Sequence, residues 1–443
     1  MKKIFVSVGL AAAGVAGWSS ASAQSLEAGA TPKLWNVSAS LRGFYDDNYA
    51  VAQNKKGSFG FEFTPSVSAN VDLPQTDIGV KYTLGLYYYL QRANVGLNPL
   101  DVTHQGDLWV DHAFNERWKL NLADSLAVGQ DPQLVQGGAV VRVAGNNLAN
   151  RAQATLNTEW TKPFSTATHY GNNLFIYQNN NNSPTNGANP SNAALLNRIE
   201  QNAGIDLQWH FSPETIGFVG YNYSWVRYSG NAEIAIPYNA APMPWLYYFS
   251  DNRDYNTHYG YVGVSHEFGP SLSGSARGGV SDTETLHEYD IQHGGPNGYL
   301  SGPSSTSLAP YADLSLTYTY LPGSYVQAGF THNINSTDVA TPSATTGLLT
   351  AYQESSVFYM DINHRFNSKL SASLLGQYQY STYKEGAYNG EGDSTVRAGI
   401  NLNYLINRHF SADVGYSFDD LISSIPGRAN TRNRVYIGLT ANY

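Results

Sequence analysis

Along residues 435–443 apolar and polar side chains take turns. Val435, Ile437, Leu439, Ala441 and Tyr443 alternate with Tyr436, Gly438, Thr440 and Asn442. A period of two places one set on each face of a β-strand. The same alternation recurs at 35–41, 59–67, 78–88, 107–114, 118–128, 152–160, 167–177, 199–211, 219–225, 262–268, 272–280, 312–320, 326–330, 358–366, 370–380, 396–404 and 410–418. With the last segment, the pattern predicts 18 strands. Short connections carry turn residues: Asn115-Glu116, Ser212-Pro213-Glu214, Gly269-Pro270-Ser271, Pro322-Gly323, Asn367-Ser368 and Asn407-Arg408. They alternate with long polar connections at 129–149, 178–196, 229–254, 281–308, 334–352 and 420–431. A soluble all-β protein has no need of that alternation in loop length.

The N-terminus says where such a chain is sent. Lys2 and Lys3 precede an apolar run over 4–18, and Ala21-Ser22-Ala23 precedes Gln24. These are the three parts of a secretory signal peptide. The run is short and glycine-interrupted for a membrane span, and no later stretch approaches the ~20 apolar residues of a membrane helix. Residues 1–23 are therefore assigned to the signal, 24–33 to a short periplasmic lead, and 34–443 to a single domain. Hydrocarbon offers backbone groups no hydrogen-bond partner, so strands that cross it must close on themselves, which also removes the sheet edge. The expected fold is all-β: a transmembrane antiparallel up-and-down β-barrel of about 18 strands, an even number as bacterial barrels require. It would lie in the outer membrane of a Gram-negative bacterium, with short periplasmic turns, long extracellular loops and both termini in the periplasm.

Composition agrees. Charged residues make up 13% of the chain, against roughly 25% in soluble domains. The 42 glycines and 33 tyrosines are abundant, and no cysteine is present, so disulfides and cysteine metal sites are excluded. Tyr87, Tyr88 and Tyr89, with Tyr318, Tyr320, Tyr378 and Tyr380, suit the aromatic girdle at a lipid interface. Without Lys2 and Lys3 the formal charge of −9 becomes −11, which argues against nucleic acid as a partner and leaves outer-membrane lipid as the expected surrounding.

If the apolar set faces lipid, the opposite parity lines the lumen. It holds Arg42, Lys81, Lys119, Arg151, Arg198, Arg277, Arg365, Arg397 and Arg434, together with Glu62, Asp107, Asp111, Glu159, Glu200, Asp206, Glu267, Asp313, Asp361 and Asp413. An Arg or Lys facing mid-membrane lipid costs ~2–4 kcal/mol, so parity assigns these charges inward. Asp124 and Arg227 break the register and point to bulges or the barrel rim. A barrel of this width leaves an aqueous channel. Mixed charges along its wall serve either as a transverse field that filters polar solutes or as ion pairs knitting the wall.

Enzymatic signatures are lacking. The 11 histidines fall in no H-x-x-x-H or H-E-x-x-H arrangement, and no P-loop or Rossmann glycine fingerprint appears. The expectation is therefore no enzyme, no metal and no cofactor. An enzyme would enter only if folding brought a histidine within hydrogen-bond reach of a serine and a carboxylate or amide on one wall. About ten residues separate Gln24 from the first strand, too few for the plug of an energy-coupled receptor or for a periplasmic helical-repeat scaffold. In the 229–254 loop, Trp245, Tyr247 and Tyr248 are candidate glycan contacts, since aromatic faces stack on sugar rings; packing against the rim is the plainer role.

The segment Gly43-Phe44-Tyr45-Asp46-Asp47-Asn48, then Phe61-Glu62-Phe63-Thr64-Pro65 and the tyrosine-rich strand to Tyr89, resembles the β-barrel porin 2-like family over about residues 35–95. That family is often associated with exopolysaccharide gene clusters. The resemblance implies an outer-membrane barrel, linked to passage of surface polysaccharide and to polysaccharide-export components, and it brings no catalytic residues. The terminal strand similarly resembles the closing strand that the barrel assembly machinery reads. Asp46, Asp47 and Asn48 fit an Asx-type turn better than a cation site at the rim.

The expected function is a porin-like channel for passive passage of polar solutes, with oligosaccharide or exopolysaccharide export as its finer form. The competing reading is a structural or adhesive barrel whose outer loops hold glycan while an infolded loop blocks the lumen. The longest loops, 281–308 and 229–254, are the expected infolded segments.

Overall fold

The computed structural model describes residues 34–129, 134–135, 139–140, 147–177, 191–229, 233–235, 248–286, 288–289, 300–301, 305–343 and 348–443. The segments assigned to the signal and the lead lie outside the described residues. The wall is an 18-stranded sheet. Its strands are β1 (Trp35–Asp46), β2 (Ser58–Leu73), β3 (Thr76–Tyr89), β4 (Leu100–Ala113), β5 (Trp118–Gly129), β6 (Asn147–Thr161), β7 (Phe164–Tyr177), β8 (Arg198–Ser212) and β9 (Thr215–Tyr228). The second half comprises β10 (Tyr255–Gly269), β11 (Leu272–Thr285), β12 (Ser305–Leu321), β13 (Ser324–Asn335), β14 (Tyr352–Arg365), β15 (Leu370–Lys384), β16 (Gly392–Asn407), β17 (Phe410–Ser423) and β18 (Asn430–Asn442).

Each strand pairs antiparallel with its neighbour in sequence, and β18 returns to β1, with Leu41 opposite Leu439 and Arg42 opposite Gly438. Closure leaves no strand of the wall without neighbours. At the seam Val37 N–H donates to Tyr443 O at 3.2 Å, and Tyr443 N–H returns to Val37 O at 2.9 Å. The Trp35 and Tyr443 rings, 5.7 Å apart, cover it.

The short turns are built locally. The Asn115 side-chain oxygen accepts from the Arg117 and Trp118 amides at 2.8 and 3.0 Å. Asn367 does the same for Lys369 and Leu370 at 2.8 and 2.9 Å, and Asn407 for His409 and Phe410 at 2.9 and 3.1 Å. Asparagine is favoured in turns because its side chain can stand in for a backbone acceptor. Gly323 has φ of +78°, a left-handed conformation that a side chain would strain.

Burial follows the period of two. Val435, Ile437 and Leu439 are exposed on the lipid face while Tyr436 and Gly438 are buried. Likewise Phe59, Phe61 and Phe63 face out while Ser58 and Glu62 face in. The girdle differs from expectation at one cluster. Tyr88 is exposed, but Tyr89 is fully buried on the inner face against Phe44 and Tyr49, because adjacent residues of a strand point to opposite sides.

Neither residue that broke the register marks a bulge. Asp124 sits opposite Leu108 and Ala152 in unbroken ladders. It turns to the outer face, where the Asn150 amide donates to it at 2.9 Å. Arg227 lies at the extracellular rim, donating to Asn256 at 2.7 Å. Register shifts occur instead beside the short turns, as at Leu405/Asn407.

Candidate functional site

The selected charges all stand on the parity opposite the lipid-facing residues, and most find an opposite charge or polar partner on their own wall. At the seam, Arg42 reaches Asp413 at 2.8 Å and Glu62 at 3.1 Å, and Arg434 takes the second oxygen of Glu62 at 3.1 Å. The Arg42 guanidinium also lies 4.7 Å from the centre of the inward Tyr436 ring. Arg198 pairs with Glu200 at 2.7 Å and stacks 4.2 Å from the Phe175 ring; Arg151 lies 5.7 Å from the same ring. Arg277 stands opposite Asp313 in register and 3.9 Å from Asp206, which also accepts from the Tyr261 hydroxyl at 2.7 Å.

Elsewhere the pairing is looser. Lys119 lies 3.7 Å from Glu159, and Lys81 faces Asp107, which accepts from Ser125 at 2.8 Å. Asp111 accepts from Asn121 at 2.5 Å, Asp361 from Tyr325 at 3.2 Å, and Arg365 donates to the Asn367 carbonyl at 3.3 Å. Arg397 pairs with Asp419 at 2.9 Å. Asp111, Glu159, Glu267 and Arg365 are exposed toward the periplasmic mouth. Acids and bases thus meet within a strand or across one to three strands of the wall, the arrangement that knits it together.

The lumen is crossed by a loop. Residues 336–343 leave β13 and turn inward, and 348–351 return to β14, with Ser336, Thr337, Val339, Ala340, Leu349, Thr350 and Ala351 buried. On one side Ser336 donates to Glu200 on β8, five strands away, at 2.8 Å. On the other, Arg428 from the β17–β18 connection grips both oxygens of Asp338 at 2.7 and 2.8 Å and reaches Asp393 of β16 at 2.6 Å. Contacts that far apart on the ring of strands make the segment a chord rather than a rim loop. Burial alone would lower the Arg428 pKa, but Asp338 and Asp393 reverse that and hold it above its ordinary value.

Arg253, fully buried, pins the same chord through backbone. It donates to the carbonyls of Thr350 at 3.0 Å, Thr337 at 2.5 Å, Val339 at 3.3 Å and Leu195 at 3.0 Å. Its guanidinium also lies 4.4 Å from the centre of the Tyr228 ring. Burial pushes its pKa down. Around these clasps Ala194, Ile234, Tyr248, Ala340 and Leu349 form one apolar cluster, so three extracellular loops meet inside the barrel. The chord itself therefore comes from 334–352, a loop outside the two expected to fold in, one of which, 229–254, joins it through Ile234, Tyr248 and Arg253. Part of 229–254 packs on it, and most of 287–304 lies outside the described residues. The chord is set by contacts distant in sequence, which loop length does not report.

Periplasmic to the chord is a cavity of about 180 Å³ lined by Asn173, Asn202, Asn222, Tyr255, Tyr259, Tyr261 and Ser336, among others. Of the proposed glycan contacts, Trp245 and Tyr247 lie outside the described residues. Tyr248 is buried within the apolar cluster, so its ring is not offered to a sugar. The Asp46-Asp47-Asn48 segment forms the turn: Asp46 accepts from the Asn48 amide at 2.9 Å, and Arg432 donates to Asp46 at 2.9 Å. Asp47 is held by Lys55 at 2.8 Å. Arg253, Asp338, Asp393, Asp419, Arg428 and Arg432 escaped the sequence reading. All but Asp393 and Asp419, whose parity faces the lumen, owe their roles to loop docking or to the strand ends.

The closed wall and its lipid-facing alternation define a porin-like barrel of the Gram-negative outer membrane. Residues 309–443 match the family described as "Putative beta-barrel porin 2", so the family resembled at 35–95 is met again at the other end of the chain. No curated protein matches. Among solved structures, Acinetobacter baumannii OccAB4 is 14% identical over 93% of this chain and 99% of its own, with a TM-score of 0.39. Pseudomonas aeruginosa OccK9 (OpdG) is 12% identical over 92% and 98%, with a TM-score of 0.42. The FrpB iron transporter of Neisseria meningitidis is 10% identical over 90% of this chain and 64% of its own, with a TM-score of 0.44.

Proposed function

We propose that the protein is a passive channel for polar solutes whose bore is set by the chord formed by 336–343 and 348–351. Uncharged oligosaccharide, including segments of exported polysaccharide, is the class that best suits it. The observation that carries this reading is the chord itself, clasped by Arg253 and Arg428 above a cavity lined mostly by amides and phenols, with the Arg198–Glu200 pair in its wall. Arg198 and Glu200 in that lining pair with each other, and Arg277 pairs with Asp206 nearby, so the lining favours hydroxyl groups over ions. Asparagine amides bond hydroxyls, and tyrosine faces pack on sugar rings.

Planar-bilayer recording of the purified barrel tests it. Steady small openings that neutral oligosaccharide reduces, and that widen when Arg253→Met frees the chord, are expected. A barrel that stays silent in both forms while retaining glycan would favour the adhesive reading instead.

A further inference from the structure

His332 of β13 stands directly opposite Ser356 of β14 in the ladder, and Glu354 lies two residues along the same strand as Ser356. Both oxygens come within hydrogen-bond reach of the imidazole: Ser356 Oγ is 2.8 Å from Nδ1, and Glu354 Oε1 is 2.9 Å from Nε2. A carboxylate can only accept, so the shared hydrogen belongs to Nε2, and Nδ1 of the neutral ring is left to accept from the serine hydroxyl. The second oxygen of Glu354 is held by Lys384 at 2.6 Å. Nucleophile, base and orienting carboxylate are thus in line.

The other histidines show the arrangement is not a general habit of this wall. His104, His258, His266 and His364 each meet a tyrosine or threonine hydroxyl through Nδ1. Among the described residues, none of those four has a carboxylate at the other nitrogen.

The placement selects the substrate. His332, Ser356 and Glu354 share the outward parity of Phe330 and Phe358, whose rings lie 4.5 Å apart one step toward the periplasm. Tyr380, opposite Ser356, and Leu308 on β12 are exposed on the same face. The β12–β13 ladder stops where Ala312 meets His332, so the imidazole stands at the end of that hydrogen-bonded stretch, toward the extracellular side. An apolar floor topped by a polar triad matches the boundary between acyl chains and headgroups in the outer leaflet.

We propose that Ser356, His332 and Glu354 form an acyl-transfer site on the outer wall that hydrolyses ester-linked acyl chains of membrane lipids. Ser356 Oγ attacks the ester carbonyl carbon while its proton passes to His332 Nδ1. The carbon–oxygen bond to the lipid alcohol breaks, and that oxygen takes the proton from His332, leaving acyl-Ser356. Water then attacks the acyl carbon, giving one proton to His332. The bond to Oγ breaks, Ser356 recovers its proton, and a free fatty acid leaves. Glu354 touches no reacting atom and acts as a positioning residue.

The test uses the purified, folded barrel with vesicles of phosphatidylethanolamine and, separately, with lipopolysaccharide, measuring released fatty acid. A long-chain alkylsulfonyl fluoride serves as covalent probe, its site read by peptide mass. Folding of every variant is checked by unboiled gel mobility and by bilayer conductance, which also keeps this outcome separate from that of the channel reading. Fatty acid release from either lipid, with sulfonylation at Ser356, is expected, and the lipid that responds identifies the natural source. Ser356→Ala should abolish both signals, and His332→Asn should lower release by about 10²-fold or more. Glu354→Gln should move the acidic limb of the pH–rate profile, where the imidazole loses its proton, to lower pH, a change that a merely structural role would not produce. A folded barrel that releases no fatty acid and leaves Ser356 unlabelled would overturn the proposal, as would release undiminished in Ser356→Ala.

Discussion

Arg428 and Asp338, 90 residues apart in sequence, form a two-pronged ion pair at 2.7 and 2.8 Å inside the mouth of the barrel. Neither residue belongs to a strand, and their pairing converts two surface loops into one clasp. Both side chains are largely buried, so the pair resists solvent screening. Removing one partner of a buried pair costs about 3–5 kcal/mol, because the other charge is left uncompensated.

Arg428→Ala should therefore undock the chord rather than unfold the wall. Hydrogen exchange would show amides of 336–343 losing protection while strand amides keep theirs. Single-channel conductance should rise in the same variant. Equal loss of protection in wall and chord would mean that the clasp holds the barrel, not the loop.

Asp254 follows Arg253, which pins the chord, and makes that junction sensitive to pH. It accepts from the Tyr228 amide at 2.8 Å, and burial raises its pKa from 3.8 to about 6. With the loop docked the carboxyl thus prefers its proton more than it does in water. Docking is most stable below pH ~4 and weakens as pH rises through about 6, after which it levels off. Openings recorded between pH 4.5 and 7.5 should become more frequent with rising pH, and Asp254→Asn should flatten that dependence. Openings that grow rarer with rising pH would contradict the assignment.

Wall parity predicts opposite outcomes at adjacent positions. Ile400 is exposed to lipid near the middle of β16, whereas Asn401 faces the lumen and donates to the Tyr436 hydroxyl at 2.7 Å. Ile400→Arg should destabilise the folded barrel in lipid vesicles by about 2–4 kcal/mol. Asn401→Arg should cost less and alter conductance. Urea unfolding in vesicles measures both, and equal costs would refute the two-faced wall.

What the sequence discloses and what it hides divide along one physical line. The parity of Val435, Ile437 and Leu439 is visible because each strand repeats the same contrast of oil and water every two residues. Asn367 and Asn407 are visible as turns because their hydrogen bonds close within three residues. Arg253 gives no such sign: its partners Thr337 and Thr350 lie 84 and 97 residues away, and it bonds their backbone, whose chemistry is common to every residue. Tyr89 illustrates the intermediate case. Its aromatic character suits lipid, yet its parity and the neighbouring Arg92, 3.9 Å from its ring centre, place it inside. Ser356, His332 and Glu354 sit in plain sight on predicted strands, but only the register that sets His332 against Ser356 makes them a constellation.

The most direct test of the account is a cysteine scan of residues 435–443, on a background that has no cysteine of its own. Each single-cysteine barrel in vesicles is exposed to a membrane-impermeant thiol reagent and, after fluorescent labelling, to nitroxide quenchers in the lipid. The account predicts that positions 435, 437, 439 and 441 are quenched by lipid and shielded from the aqueous reagent, while 436, 438, 440 and 442 react through the lumen and escape quenching. Quenching without that two-residue alternation, or with the even positions in lipid, would contradict it.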